Sequence, residues 1–354
     1  MHLDCRLVHK NMLCPNLLAL RAHLQVHPVN TGRRIELTGP SGVISDDMEA
    51  LHAESDGNGR IFLLSGVEFS TCMYRGQTQD HGTCTPSLAR LKTTGEQLLA
   101  LCQRIAFEDA IRTHPLVQIT ARTQFLDGHL YVDHEGLAQH YGHATDMLDI
   151  TSNFDVASFF ATCSWTGKKF EPFYSTDPGV IYRVNPALLD MVCPQDSGDN
   201  ILRIVGWQPL PRPEQQRAYA VQLRSDQDFC QLPSIEKFRF SHNAAISQSI
   251  CEAFDRGDAL FPADAAAELS LRAKALVNFT GDQIARAWQR LNAWTGILTS
   301  SESAAQIESQ CGIQKTPAPT LNWNGLIDEF TTDQLQARLV EVLNRVRYRR
   351  AMYL

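Results

Sequence analysis

The chain has 354 residues, 44% of them hydrophobic and 20% charged, and a formal net charge of −7. This ordinary composition excludes a largely disordered chain, and the length allows one large domain or one domain with appendages. An acidic total is a poor general match for nucleic acid, which only a local basic patch would serve.

Ten cysteines, at 5, 14, 72, 84, 102, 163, 193, 230, 251 and 311, are scattered along the sequence. Disulfide frameworks favour short secreted chains, so reduced thiols in a cytoplasmic protein are expected. The opening MHLDCRLVHKNMLC carries charges and histidines where a secretory leader needs an apolar run. No stretch approaches the ~20 apolar residues that span a bilayer, so no membrane partner is expected.

Residues 1–30 read as a short helical segment, with Pro15 ahead of the periodic run LLALRAHLQVH. His23 and His27 share a helix face near Cys5 and Cys14, but the cysteine spacing is too wide for a finger-type site. An amphipathic helix is the reading, and no metal is expected. SGVISDD and ESDGNGR, within 31–60, are polar and turn-rich. The apolar stretch 61–74 ends as a buried strand that delivers Arg75 to the inner edge of the domain.

Leu98, Leu101, Cys102, Ile105 and Ala106 form one stripe of a helix over 94–112. Asp133 can cap a helix over 134–141, with Gly142 placed to end it. DMLDITS, 146–152, is β-compatible, and Asn153 then caps the helix FDVASFFATC. Further strands are predicted at 179–184, 202–207 and 218–223. Residues 263–300 and 326–350 show helical periodicity around the loop QKTPAPTLNWNG. The pattern predicts an α+β domain over 55–275. An N-terminal helical or irregular segment, 1–54, precedes it, and a helical C-terminal appendage, 276–354, follows.

Three blocks resemble the FRG domain family. The first is MYRGQ, 73–77, followed by PSLAR, 86–90. The second is LAQHYGHATDMLDITSNFDVASFFA, 137–161, and the third is PEQQRAYAV, 213–221. KFRFSHN, 237–243, and ALFPAD, 259–264, extend the likeness in the same order, so that it spans about 55–275. Two departures stand out. Ala144-Thr145-Asp146 replaces a usual Pro-Thr-Arg, reversing a charge close to the expected pocket, and Arg217 replaces a common glycine.

The family is in turn similar to ADP-ribosyltransferases. That likeness implies a split mixed β-sheet with an NAD⁺ groove between its halves, and site groups in the order Arg75, Thr151-Ser152, Glu214 to Gln216. Arg75 offers a planar fork for a diphosphate, or else a structural salt bridge. Gly76 would let backbone approach the ligand, and Gln77 completes the RGQ block. Thr151 and Ser152 can fix the ribose or cap the following helix.

Glu214 and Gln216, two apart, would share one face of a strand, with Gln215 opposite and the register open. His140 can bond a ribose or act as acid–base, and Tyr141 can stack on nicotinamide; both can instead pack in the core. Asp149 reads as a structural carboxylate. Arg338, Arg345, Arg347, Arg349 and Arg350, interleaved with Tyr348 and Tyr353, could touch RNA or an acidic partner, or form a solvated face.

The resemblance implies transfer of ADP-ribose from NAD⁺ to a protein or nucleic-acid target, with no metal. By analogy with bacterial toxins and anti-phage effectors, an antitoxin or regulator is a further expected partner. NAD⁺ hydrolysis and an inactive nucleotide- or partner-binding FRG module are the alternatives.

Overall fold

The computed structural model describes residues 13–24, 26, 34–39, 42–47, 51–65, 72–192, 201–326 and 332–347. Cys5, His27, Cys193, Tyr348, Arg349, Arg350 and Tyr353 lie outside them.

A seven-stranded mixed sheet organises the α+β fold. Its strands are β1 (Leu13–Cys14), β2 (Met73–Gln77), β3 (Met147–Thr151), β4 (Gly179–Val184), β5 (Leu202–Ile204), β6 (Ala218–Gln222) and β7 (Ile235–Phe240). Their order across the sheet is β1–β7–β4–β2–β3–β6–β5. The β1–β7 pair is parallel and the other pairs are antiparallel. Central β4 has the near-continuous apolar sequence of a strand covered on both faces. Val180, Tyr182 and Val184 pack with Leu148, Ile150 and Val221. The alternate Ile181 joins Tyr74, Phe154, Ala157 and Phe238 on the other side.

One junction differs from the rest. β2 and β4 share five residue pairs, and so do β3 and β6. β2 and β3 share the single pair Tyr74–Thr151. The sheet is therefore two half-sheets joined by one rung.

The helices that matter here are α1 (Leu17–His23), α2 (Thr94–Arg112), α3 (His134–His140), α4 (Phe154–Thr162), α5 (Arg212–Gln215), α6 (Ala265–Lys274), α7 (Gly281–Thr295) and α8 (Thr332–Asn344). The expected caps are present. Asp133 Oδ1 accepts from the Gly136 amide at 2.9 Å, and Asn153 Oδ1 accepts from the Asp155 amide at 2.7 Å. Gly142, at φ +77°, ends the turn after α3. α4 lies across the junction and contacts β2, β3 and β4.

The flanking segments are less separate than their sequence pattern predicts. The N-terminal segment holds α1 but also strands Arg34–Gly39, Gly42–Asp47 and Leu51–Ser55. Leu51–Ser55 pairs with Arg60–Ser65 across the expected boundary at 54/55, and in parallel with Val346–Arg347 near the C-terminus. The polar turn between Leu51–Ser55 and Arg60–Ser65, with Asp56 accepting from the Asn58 and Arg60 amides, masked this hairpin. Helix α7 packs on α2 through Ile284, Ala287, Leu291 and Trp294 against Leu98, Leu101, Cys102 and Ile105. Each such buried aliphatic side chain contributes roughly 1.5–3 kcal/mol.

Candidate functional site

Where β2 and β3 part, a cleft of about 320 Å³ opens. This lies at the low end of the ~300–1,000 Å³ of ligand pockets. β2 contributes Tyr74, Arg75, Gly76 and Gln77 to its wall, and β3 contributes Asp149, Ile150 and Thr151. α4 adds Val156, Ala157 and Phe160.

Arg75 reaches across the junction. Its Nη1 donates to the Asp149 carbonyl at 2.7 Å, and its buried Nε has no hydrogen-bond partner among the described residues. Arg90, at the end of the 3-10 turn Leu88–Arg90, lines the same cleft. Its pKa is drawn down from the ordinary value, first by desolvation and then by the Arg75 charge. Among the described residues neither guanidinium forms a close ion pair with a carboxylate, and Asp149 acts on Arg90 only at longer range. Two such cations in one concavity favour an anionic ligand with several oxygens.

A second set of polar groups is tied together on the facing half-sheet. His140 ends α3, and its side chain is 2% exposed. Its Nδ1 lies 2.9 Å from Gln216 Oε1. Gln216 Nε2 donates to the Leu260 carbonyl at 3.0 Å, and the Gln216 carbonyl accepts from Thr151 Oγ1 at 2.7 Å. His140 Nε2 has no hydrogen-bond partner among the described residues and lies 3.7 Å from Asp149 Oδ1. Gln139 Nε2 donates to that same Asp149 oxygen. The Asp149 side chain is 46% exposed, so its carboxylate is available to a ligand. Cys163 also lines the cleft, but burial, followed by the effect of Cys251, pushes its thiol up to about 12. It is protonated at neutral pH and is not poised as a nucleophile.

The cleft thus brings together Arg75, Gly76, Gln77, His140, Thr151 and Gln216 from the residues singled out in the sequence. Several of their roles need correction. A Cβ on Gly76 would sit 1.8 Å from the Ala157 carbonyl oxygen, so this glycine lets α4 seat on β2 rather than admitting a ligand. Gln77 already accepts from the Tyr182 hydroxyl at 3.1 Å. Thr151 spends its hydroxyl on Gln216 and on the Asn153 amide, at 3.1 Å from the latter.

Tyr141 is 2% exposed and outside the cleft. Its hydroxyl donates to Asp264, and the Arg212 guanidinium lies 4.5 Å over its ring. Ser152 is not in the cleft wall, and its amide bonds the Arg217 carbonyl at 3.3 Å. Glu214 and Gln215 are also outside the cleft. The segment forms the helical turn α5 instead of a strand, so spacing by two no longer sets a common face. Glu214 pairs with Arg345, Gln215 is exposed, and Gln216 alone turns inward. Arg217 then adopts φ +49°, a left-handed corner that favours glycine, before β6 begins at Ala218.

Asp146 does not border this cleft either. It accepts from Gln222 Nε2 at 2.9 Å and from Arg104 Nη1 at 3.4 Å in a separate charge network. Conversely, sequence reasoning gave no role to Thr78, His81 and Arg90, and read Asp149 as structural; all four line the cleft. Arg90 closes the PSLAR block, which was the available signal.

The architecture is α+β, with a cationic cleft in a divided sheet. Residues 70–169 match the family model of the FRG domain, and this stretch of the chain is an FRG domain. The match covers Arg75, Arg90, His140 and Asp149 and stops before Gln216. No curated protein and no solved structure matches the chain.

Among the described residues, no helix is long and apolar enough to cross a membrane.

Proposed function

We propose that the cleft binds NAD⁺ and breaks the bond between nicotinamide and ribose, transferring ADP-ribose to a macromolecule. The observation that carries this reading is the pairing of two cations without carboxylate partners, Arg75 and Arg90, with a solvent-facing carboxylate, Asp149, in one cleft. The guanidiniums bind the diphosphate. Asp149 stabilises the positive charge that develops on the ribose as the C1′–N bond lengthens. The bonding electrons leave with nicotinamide, which departs neutral. The cleft volume suits the reacting half of NAD⁺ better than the whole dinucleotide.

The test is incubation with NAD⁺ labelled in its adenylate part, with and without cell lysate. Label on a polymer supports transfer, and protease or nuclease treatment then identifies protein or nucleic acid. Free ADP-ribose alone supports hydrolysis. Nucleotide binding without either product supports an inactive module. Toxicity on expression that Arg75→Ala cures would support an effector role.

A further inference from the structure

Gln216 has both ends of its amide engaged. The Leu260 carbonyl can only accept, so the 3.0 Å contact fixes Nε2 as the donor and turns Oε1 toward His140. An amide oxygen can only accept in turn, so the 2.9 Å contact requires a proton on His140 Nδ1. Neutral His140 then carries its lone pair on Nε2, the atom without a hydrogen-bond partner, 3.7 Å from Asp149 Oδ1. The Thr151 hydroxyl holds the Gln216 main chain at 2.7 Å, so the strand that bears Asp149 also anchors the residue that orients His140.

We propose that Gln216 is a positioning residue that sets the His140 tautomer, so that Nε2 serves as the proton acceptor for the attacking group. This rests on the reading of the cleft as an NAD⁺ site. It narrows the acceptor to a group that arrives with its proton, an alcohol, an amide or water, rather than a preformed anion. In the step, the acceptor heteroatom bonds to ribose C1′ and its proton passes by way of the exposed Asp149 carboxylate to the buried His140 Nε2. The C1′–N bond breaks, and its electrons stay on the departing nicotinamide. The imidazolium so formed is stabilised by Asp149.

Nitrogen-15 NMR of histidine-labelled protein reads the tautomer without any need for turnover. The expected spectrum at a pH where His140 is neutral has the proton on Nδ1. A proton on Nε2 in the wild-type protein overturns the proposal, whatever NAD⁺ assays show. With turnover established, Gln216→Leu should lower kcat about 10–100-fold, the scale for outer partners of functional histidines, with little change in KM. His140→Ala should cost about 10²–10⁴-fold. Adding Gln216→Leu to His140→Ala should cost nothing more, because Gln216 acts through the imidazole. Equal losses from Gln216→Leu in both backgrounds also overturn it. Absence of NAD⁺ turnover in the wild type sinks the functional reading instead, and the tautomer measurement still decides the role of Gln216.

Discussion

Two regions of this protein concentrate arginine, and they treat it in opposite ways. In the first, Arg104, Arg203 and Arg290 meet Glu108, Asp133, Glu135 and Asp146. Arg290 Nη1 is 2.9 Å from Glu108 Oε1, Arg203 Nη1 is 2.7 Å from Glu135 Oε2, and Arg104 Nη1 is 3.4 Å from Asp146 Oδ1. This network ties α2, α3, β5 and α7 together, so its charges are spent on the fold. In the cleft, Arg75 gives one hydrogen bond to a carbonyl, and Arg90 feels the Asp149 carboxylate only at a distance, forming no ion pair with it. Charges that neighbours neutralise hold structure, whereas charges left over are available to a ligand.

Acid has the largest expected effect, and the arginine network should outlast the histidines packed around it. Burial, before any neighbouring charge, lowers His114 and His134 to about 4 and His143 to about 3, from 6.5. Because these folded values lie below the unfolded one, the unfolded chain binds more protons in between. Stability is complete above pH 6.5 and falls as pH drops toward 4, at about 1.4 kcal/mol per unit for each fully buried group. Burial opposes the charge on Glu135, but Arg104, Arg203 and Arg290 outweigh it and hold the group at about 2, against an ordinary 4.5. Its contribution is lost only below pH 4.5. Thermal midpoints measured from pH 7 to 4 should fall steadily; a flat profile would contradict the burial of these imidazoles.

Glu108→Ala, which strands Arg104 and Arg290, is expected to destabilise by about 3–5 kcal/mol in denaturant melts. NAD⁺ turnover per folded molecule should be unchanged. Arg75→Ala should do the reverse, lowering kcat/KM about 10²–10³-fold with little change in the melt, as for loss of one aligned donor. Wild-type turnover in that variant would mean that the phosphate clamp lies elsewhere. Arg90→Ala has the smallest expected effect, about tenfold weaker nucleotide binding by calorimetry, with a shallower dependence on salt. Destabilisation by Arg90→Ala to the extent of Glu108→Ala would erase the contrast.

Local chemistry made much of residues 133–184 legible. Capping at Asp133 and Asn153, the glycine stop at 142 and the apolar β4 run each mark an element that forms where expected. The failures share one cause, since contacts between distant segments decided them. Nothing near residue 76 tells that its missing Cβ is space for the Ala157 carbonyl. Nothing in PEQQR shows that Arg345 draws Glu214 away while Leu260 fixes Gln216. Asp149 looked structural because its main chain is; its carbonyl serves Arg75, and its side chain faces outward into the cleft.

The lone Tyr74–Thr151 rung also sets how this molecule can breathe. One face of the junction is backed by α4, with Gly76 pressed against Ala157, and the other by the apolar cluster in which Met73 and Tyr182 meet Leu148 and Ile150. Two apolar layers, rather than ladder bonds, therefore keep these strands at their spacing. A guest at the cleft meets few main-chain bonds there, but to widen it further it would have to work against both layers.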